Sequence, residues 1–280
     1  MPLRIEPIDS RALFRPLSRE FGELLITLDD TAWNRPTVAR AWRVRDVVAH
    51  LLDTTLRRLS FHRDRHQPPP PDRPIRSDED FVAFINGLNA TWVSASQRLS
   101  PALLAQLFVF AADEYATFIE ALPLEDPPLF PVSWAGADGD LGWLDIGREF
   151  TEQWHHQMQV RDAVGGPPPS DPSWLNVVLR AAMCGLPHAY RAVDAPDGTA
   201  LAIVVTGDAG DEWTLVRERG AWVLTQGVDA GGAAARCEMT DDTAWRLLFN
   251  ALPAAELAAI RCSGDATLLA TLLRARSVVV

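Results

Sequence analysis

Glu152 and His156 stand four residues apart in the stretch REFTEQWHHQMQVRDAVGG, residues 148–166, with His155 directly beside the second of them. On an α-helix each residue advances about 100°, so positions i and i+4 point the same way, one turn apart. A carboxylate and an imidazole placed in this way can chelate one ion. Gln159 and Ala163 continue the row, whereas His155 is turned about 100° from His156 and cannot easily join the same ion. Trp154 faces away, into packing. Two ligands hold a metal weakly, so a third donor is expected from another element. Of the six histidines in the 280 residues, the best candidate is His50, in WRVRDVVAHLLD. It lies beside Val47 and Thr54 at the margin of an apolar stripe, where an imidazole can look into a helical bundle. His62 and His66 sit beside arginines near a proline-rich loop and read as solvent-facing. His188 follows Pro187 and has no obvious partner.

His50, Glu152 and His156 form a two-histidine, one-carboxylate set. Three protein ligands leave one or more coordination positions open for water or substrate, the arrangement of a catalytic ion. Neutral imidazole plus carboxylate suits Zn²⁺, Ni²⁺, Mn²⁺ or Fe²⁺ alike. The same set also admits a facial triad for oxygen chemistry on Fe²⁺ and hydrolysis by a metal-bound water. Spacing alone also allows a plain reading, in which Glu152 and His156 are a minor ion pair on a solvated helix face and His50 a satisfied core histidine.

The elements that must carry these residues are helices. Apolar residues recur at helical spacing over 9–30, 43–65, 77–99 and 101–123, and the stretch 144–164 reads as the helix of the Glu152–His156 pair. The second of these carries Val44, Val47, Val48, Leu51, Leu52 and Thr55 on one stripe. Ser77 supplies a start signal for the third, and Pro101 suits a first helical turn of the fourth. QPPPPDRPIR (67–76) must be a loop, and a Pro/Gly/Trp-rich connection covers 126–143. GGPPPSDPS (165–173) is the clearest linker, followed by one further helix over 174–193. The composition then changes. ALAIVVTG, EWTLVRE, AWVLTQ and ARCEMT are short β-branched or alternating runs split by Gly/Asp turns. DDTAWRLLFNAL and DATLLATLLRA read as helices after acidic N-caps. The expected fold class is α+β. A helical bundle occupies 1–165, a linker and connecting helix 166–197, and a small α/β domain 198–280.

Composition narrows the function. Hydrophobic residues make up 48% and charged residues 22%, the balance of a soluble globular chain. Apolar runs are broken by charge or proline short of the roughly 20 residues of a membrane span, and MPLRIEPIDSR lacks the apolar core of a signal peptide. A cytoplasmic protein with no membrane partner is expected. The net charge is −11 and there is no run of basic residues, so nucleic acid is an unsuitable partner. All 26 cationic side chains are arginines. The absence of lysine removes Schiff-base chemistry and P-loop phosphate binding. Cys184, Cys237 and Cys262 are odd in number and widely spaced, matching neither a disulfide framework nor a cysteine zinc site. They read as buried small apolar side chains.

WRVRDVVAHLLD (42–53), after a first helix ending in LDDTAWNRPTVARA, resembles the second-helix signature of the DinB-like, mycothiol-dependent maleylpyruvate isomerase superfamily. EQWHHQMQVRDAVG (152–165) resembles that family's fourth-helix pattern, in which Ala163 and Gly165 follow at characteristic distances. The C-terminal run from MTDDTAWRLLF onward is similar to the sterol-carrier-type second domain of longer members. The resemblance covers nearly the whole chain. It implies a four-helix bundle with a divalent metal, usually zinc, whose ligands fall on His50, Glu152 and His156. It implies, too, a low-molecular-weight thiol such as mycothiol or bacillithiol as cofactor or co-substrate, with isomerisation or thiol transfer to a small electrophile as the activity. Members often carry an acid three residues after the second histidine. Here that position is Gln159, which puts the identity of the thiol, and thiol use itself, in question.

In the mechanism this resemblance implies, a metal-bound thiol is deprotonated near neutral pH and attacks an electrophilic carbon, while His155, Gln159 or a metal-bound water places the proton. An arginine of the second domain could hold an anionic substrate by its planar fork, and Arg246 is the candidate. The partners expected are a small-molecule substrate and the thiol, with the chain a monomer or homodimer. A non-catalytic binder, its cavity lined by some of the ten tryptophans, is the remaining alternative.

Overall fold

The computed structural model describes residues 3–39, 41–129, 141–227 and 232–277; most of the connection expected over 126–143 lies outside them. The described chain divides into two compact units that are discontinuous in sequence. One comprises 11–122 and 153–168, and the other 1–10, 123–152 and 169–280. The sequence-based boundaries are contiguous and so differ in assigning 1–10 and 123–152 to the bundle.

The first unit is helical. Its elements are α1 (Phe14–Leu25), the short α2 (Asp30–Trp33), α3 (Val44–Arg58), α4 (Asp78–Ser96), α5 (Pro101–Glu120) and the second half of α6 (Gly142–Val164). Four of these helices, α2, α3, α4 and α5, start for a local reason. Asp29 accepts from the Ala32 amide, Ser77 from Asp80 and Ser100 from Leu103, each side-chain oxygen satisfying a backbone donor that the helix cannot. Asp46 closes the first turn of α3 by accepting from the Arg43 amide at 2.9 Å. After α3 one π-helical turn, Leu59–Arg63, carries His62, which is half-buried rather than solvent-facing. His66 is exposed, as expected. The helix α6 ends where Gly165 takes φ +68°, a left-handed conformation that glycine adopts without a Cβ penalty, and the Gly166 amide donates to the Arg161 carbonyl.

Apolar faces of α1, α3, α5 and α6 meet in one core, with Phe21, Val47, Leu51, Leu104, Phe108 and Val160 among its buried members. Phe108 lies edge-on to Phe21 with centroids 5.4 Å apart. By length and composition α5 is apolar enough to cross a membrane, which corrects the expectation that no run is long enough. Within the bundle its Ala105, Phe108, Ala112 and Ala116 are buried, the pattern of a core helix.

The second unit holds a mixed sheet. Its strands among the described residues are β1 (Leu3–Arg4), β2 (Ala200–Thr206), β3 (Asp211–Glu218), β4 (Ala221–Gln226), β5 (Ala235–Thr240) and β6 (Arg261–Gly264), in the order β1-β4-β3-β2-β5-β6. The β1/β4 and β2/β5 pairs are parallel and the others antiparallel. Arg219 and Gly220, at φ 50° and 76°, make the two-residue turn between β3 and β4; positive φ at both positions matches the right-handed twist of the flanking strands. Helices α7 (Ser173–Met183), α8 (Leu186–Ala189), α9 (Asp241–Leu248) and α10 (Ala266–Arg274) complete the unit.

Two sequence expectations are corrected here. The single helix over 174–193 is two, α7 and α8, broken at Gly185 because Pro187 cannot supply the amide a continuous helix needs. The N-cap of α9 is Thr240, which accepts from the Thr243 amide, with the aspartates in the first turn after it; α10 does start on an acidic cap, Asp265.

Candidate metal centre

The helix α3 brings His50 against α6. His50, Glu152 and His156 each offer a ligand atom, and these atoms all lie within 4.8 Å of one another. His50 and His156 are buried and Glu152 is half-buried. The two imidazoles cross at 76° with centroids 4.7 Å apart. Trp42, just before α3, lies over the His50 ring at 4.8 Å and reaches His156 at 6.2 Å. An aromatic wall of this kind keeps water from one side of the ligands and limits the rotamers they can adopt.

The residue that decides how His156 presents itself is Gln159. Its Oε1 lies 2.8 Å from His156 Nδ1 and its Nε2 lies 2.9 Å from His155 Nε2. With the carbonyl oxygen as acceptor, His156 carries its proton on Nδ1, and Nε2 keeps a lone pair for an ion. The amide nitrogen then donates to His155 Nε2, so the proton of His155 sits on Nδ1. A carboxylate at this position could accept from His156 but could not also donate to a neutral His155. The amide thus bridges both imidazoles, accepting from one and donating to the other. His155 (2% exposed) is thus an oriented neighbour outside the three-residue donor set. Trp154 is buried, as expected. The donor set, two imidazoles plus a carboxylate, fits a divalent cation.

Replacing Gln159 with leucine should free the His156 ring and weaken divalent-metal binding about 10- to 100-fold, measured by competition with a chromophoric chelator. Glutamate at the same position keeps the acceptor and should restore most of that affinity.

Beside the ligands α3 continues the same face. Asp53 and Arg57 follow His50 by one and two turns. They line a groove of about 740 Å³ together with the 71–75 loop and α4, whose Phe84, Leu88 and Trp92 give it an apolar wall. Burial pushes the Asp53 carboxyl up, and Arg57, 3.1 Å away, pulls it back. Trp92 is anchored by donating to the Ala49 carbonyl at 2.9 Å. Gly87 sits mid-helix in this wall with nothing within 4 Å of the Cβ it lacks; glycine costs roughly 1 kcal/mol against alanine there, and its absent side chain keeps the groove wide.

Arg246 lies on α9 of the other unit. Its Nε donates to Asp242 at 2.9 Å, and its guanidinium lies 4.3 Å from the Trp245 ring centroid. His188 is half-buried, with its imidazole pKa lowered by burial and by Arg191. The sequence reading missed the groove and the amide bridge; Asp53 and Arg57, at i+3 and i+7 from His50, were the available signal for the first.

Residues 14–161 match the family model described as the mycothiol maleylpyruvate isomerase N-terminal domain. The chain belongs to this family. Two solved structures share its fold. One is the mycothiol-dependent maleylpyruvate isomerase, at 13% identity, TM-score 0.53, covering 93% of this chain and 95% of that one. The other is a histidine-to-alanine mutant of that enzyme, at 12% identity, TM-score 0.54 and the same coverage. A search of curated proteins finds no match. Within this family, then, the chain pairs a helical bundle with a mixed α/β unit.

Proposed function

We propose that the protein is a mycothiol-type thiol-dependent isomerase or S-transferase, with a divalent metal, zinc by preference, held by His50, Glu152 and His156. The observation that carries this reading is the convergence of those three donors from α3 and α6, with Gln159 fixing the tautomer of one of them. Family membership supports the thiol. A bound divalent ion lowers the pKa of a coordinated thiol, which supplies a sulfur nucleophile near neutral pH.

The chain's own residues set the rest. Trp42 shields the ligands on one side. Gln159 is a positioning residue that orients His156 and His155 together. His155, with its proton directed by that amide, is the group we assign to hold and return a proton during addition to a small electrophilic substrate. The groove past Asp53 and Arg57 fits the body of the thiol or the substrate, its apolar wall carrying the carbon skeleton and its charged floor the polar groups. Arg246 keeps the role of anion-binding candidate, but its guanidinium is already engaged by Asp242, and the reading does not depend on it.

The test is turnover of maleylpyruvate and of a panel of small electrophiles with mycothiol, with bacillithiol, and with no thiol. Conversion that requires a thiol supports the reading. Conversion without one overturns the thiol dependence, and hydrolysed products make the protein a hydrolase on the same ligands. A full complement of metal with no conversion of any substrate makes it a binding protein.

A further inference from the structure

Cys237 on β5 and Cys262 on β6 are direct register partners across an antiparallel pair. The alternation of the ladder fixes which kind of pair they form. The Asp265 amide donates to the Ala234 carbonyl at 2.9 Å, so 234 and 265 are a hydrogen-bonded pair. In the same register Arg236 opposes Ser263 as the next such pair, and Cys237 opposes Cys262 at a non-hydrogen-bonded position. There the Cα atoms approach to about 4.5 Å, inside the span of about 4.4–6.8 Å that a disulfide bridges. The two Sγ atoms are 2.9 Å apart. Cys262 is exposed, against the expectation that all three cysteines are buried, whereas Cys237 is fully buried. The strand β6 lies at one end of the strand order, with β5 as its neighbour in the sheet, and its four residues are exposed. Reagents can therefore reach Cys262 but not its partner.

We propose that Cys237 and Cys262 form a reversible cross-strand disulfide by exchange with low-molecular-weight disulfides, making this sheet edge a redox-modifiable site separate from the bundle chemistry. In the first step Cys262 gives its proton to solvent and its sulfur bonds to one sulfur of RS–SR, releasing RS⁻. In the second, Cys237 Sγ attacks Cys262 Sγ and the remaining RS⁻ leaves, the Cys237 proton passing to it. The two cysteines lose two electrons and RS–SR becomes two RSH. The order follows from access: Cys262 meets solvent, while burial and the neighbouring Cys262 sulfur hold the Cys237 thiol in its protonated form until the mixed disulfide arrives beside it. Cys184 stays out of the exchange, since it is buried and its pKa is pushed up to about 12. The bridge would close a loop, 25 residues in sequence separation, that carries α9.

Wild type and the variants Cys237→Ser and Cys262→Ser are incubated with glutathione disulfide at about pH 8, then followed by intact mass and non-reducing peptide mapping. Wild type should lose two thiols, keep Cys184 reduced, yield a linked 237–262 peptide with no retained glutathione, and melt on the order of 5–10 °C higher. Dithiothreitol should reverse all of this. Cys237→Ser, lacking the resolving thiol, should keep glutathione on Cys262; Cys262→Ser should not react. Wild type that retains glutathione on Cys262, or that leaves both thiols free, overturns the proposal. The wild-type map decides this even if a variant fails to fold, and neither result bears on the metal-dependent reading.

Discussion

Changing His50 to alanine should strip the protein of its divalent ion. Wild type purified without chelator should carry about one ion per chain, and the variant's affinity should fall at least about 100-fold. The reason is geometric. Without His50 the remaining donors, Glu152 and His156, come from one turn of one helix, and a two-ligand site holds a metal weakly. Thiol-dependent turnover should disappear with the ion. Elemental analysis of both proteins checks the first claim, and the melting curve of metal-free wild type against the variant separates lost metal from lost fold. A variant with unchanged metal content would remove His50 from the site and move the ligand set elsewhere on α6.

Phe108→Ala should cost the bundle about 3–5 kcal/mol, of which the edge-on pairing with Phe21 supplies about 1. Phe108 is 0% exposed in the core of α1, α3 and α5, while Phe110, two residues on, is 67% exposed. Two residues turn the helix by about 200°, so the same substitution at Phe110 should change stability by no more than about 0.5 kcal/mol. Urea unfolding of the two variants makes the comparison. Equal losses would mean that α5 does not pack as described.

Much of this was legible in the sequence, for reasons that differ by residue. Glu152 and His156 were legible as a candidate pair because two side chains on one helix face need only the four-residue interval. His50 was legible from its place at the margin of the Val47–Leu51 stripe, since α3 had to turn that stripe inward. The role of Gln159 was not, because an amide's choice between two imidazoles depends on rotamers that only the packed bundle fixes. The break at Gly185–Pro187 had its signal in the proline and was overlooked beneath the apolar periodicity around it. The pairing of Cys237 with Cys262 left no trace at all. RCSG is too short and too exposed to show a strand period, and its register depends on a loop closing around α9. The two-residue β1 was invisible for the same reason of length.

That small strand has a consequence for how the chain reaches its native state. Leu3 pairs with Leu224, about 220 residues away, so closing that loop in an unstructured chain costs about 5 kcal/mol in entropy. Two residues of ladder cannot offset this. The strand β1 must therefore wait until β4 is already fixed against β3 and the intervening residues have condensed. The short strand β1 is among the last elements to find its partner, and it acts as a closing latch on a sheet built without it.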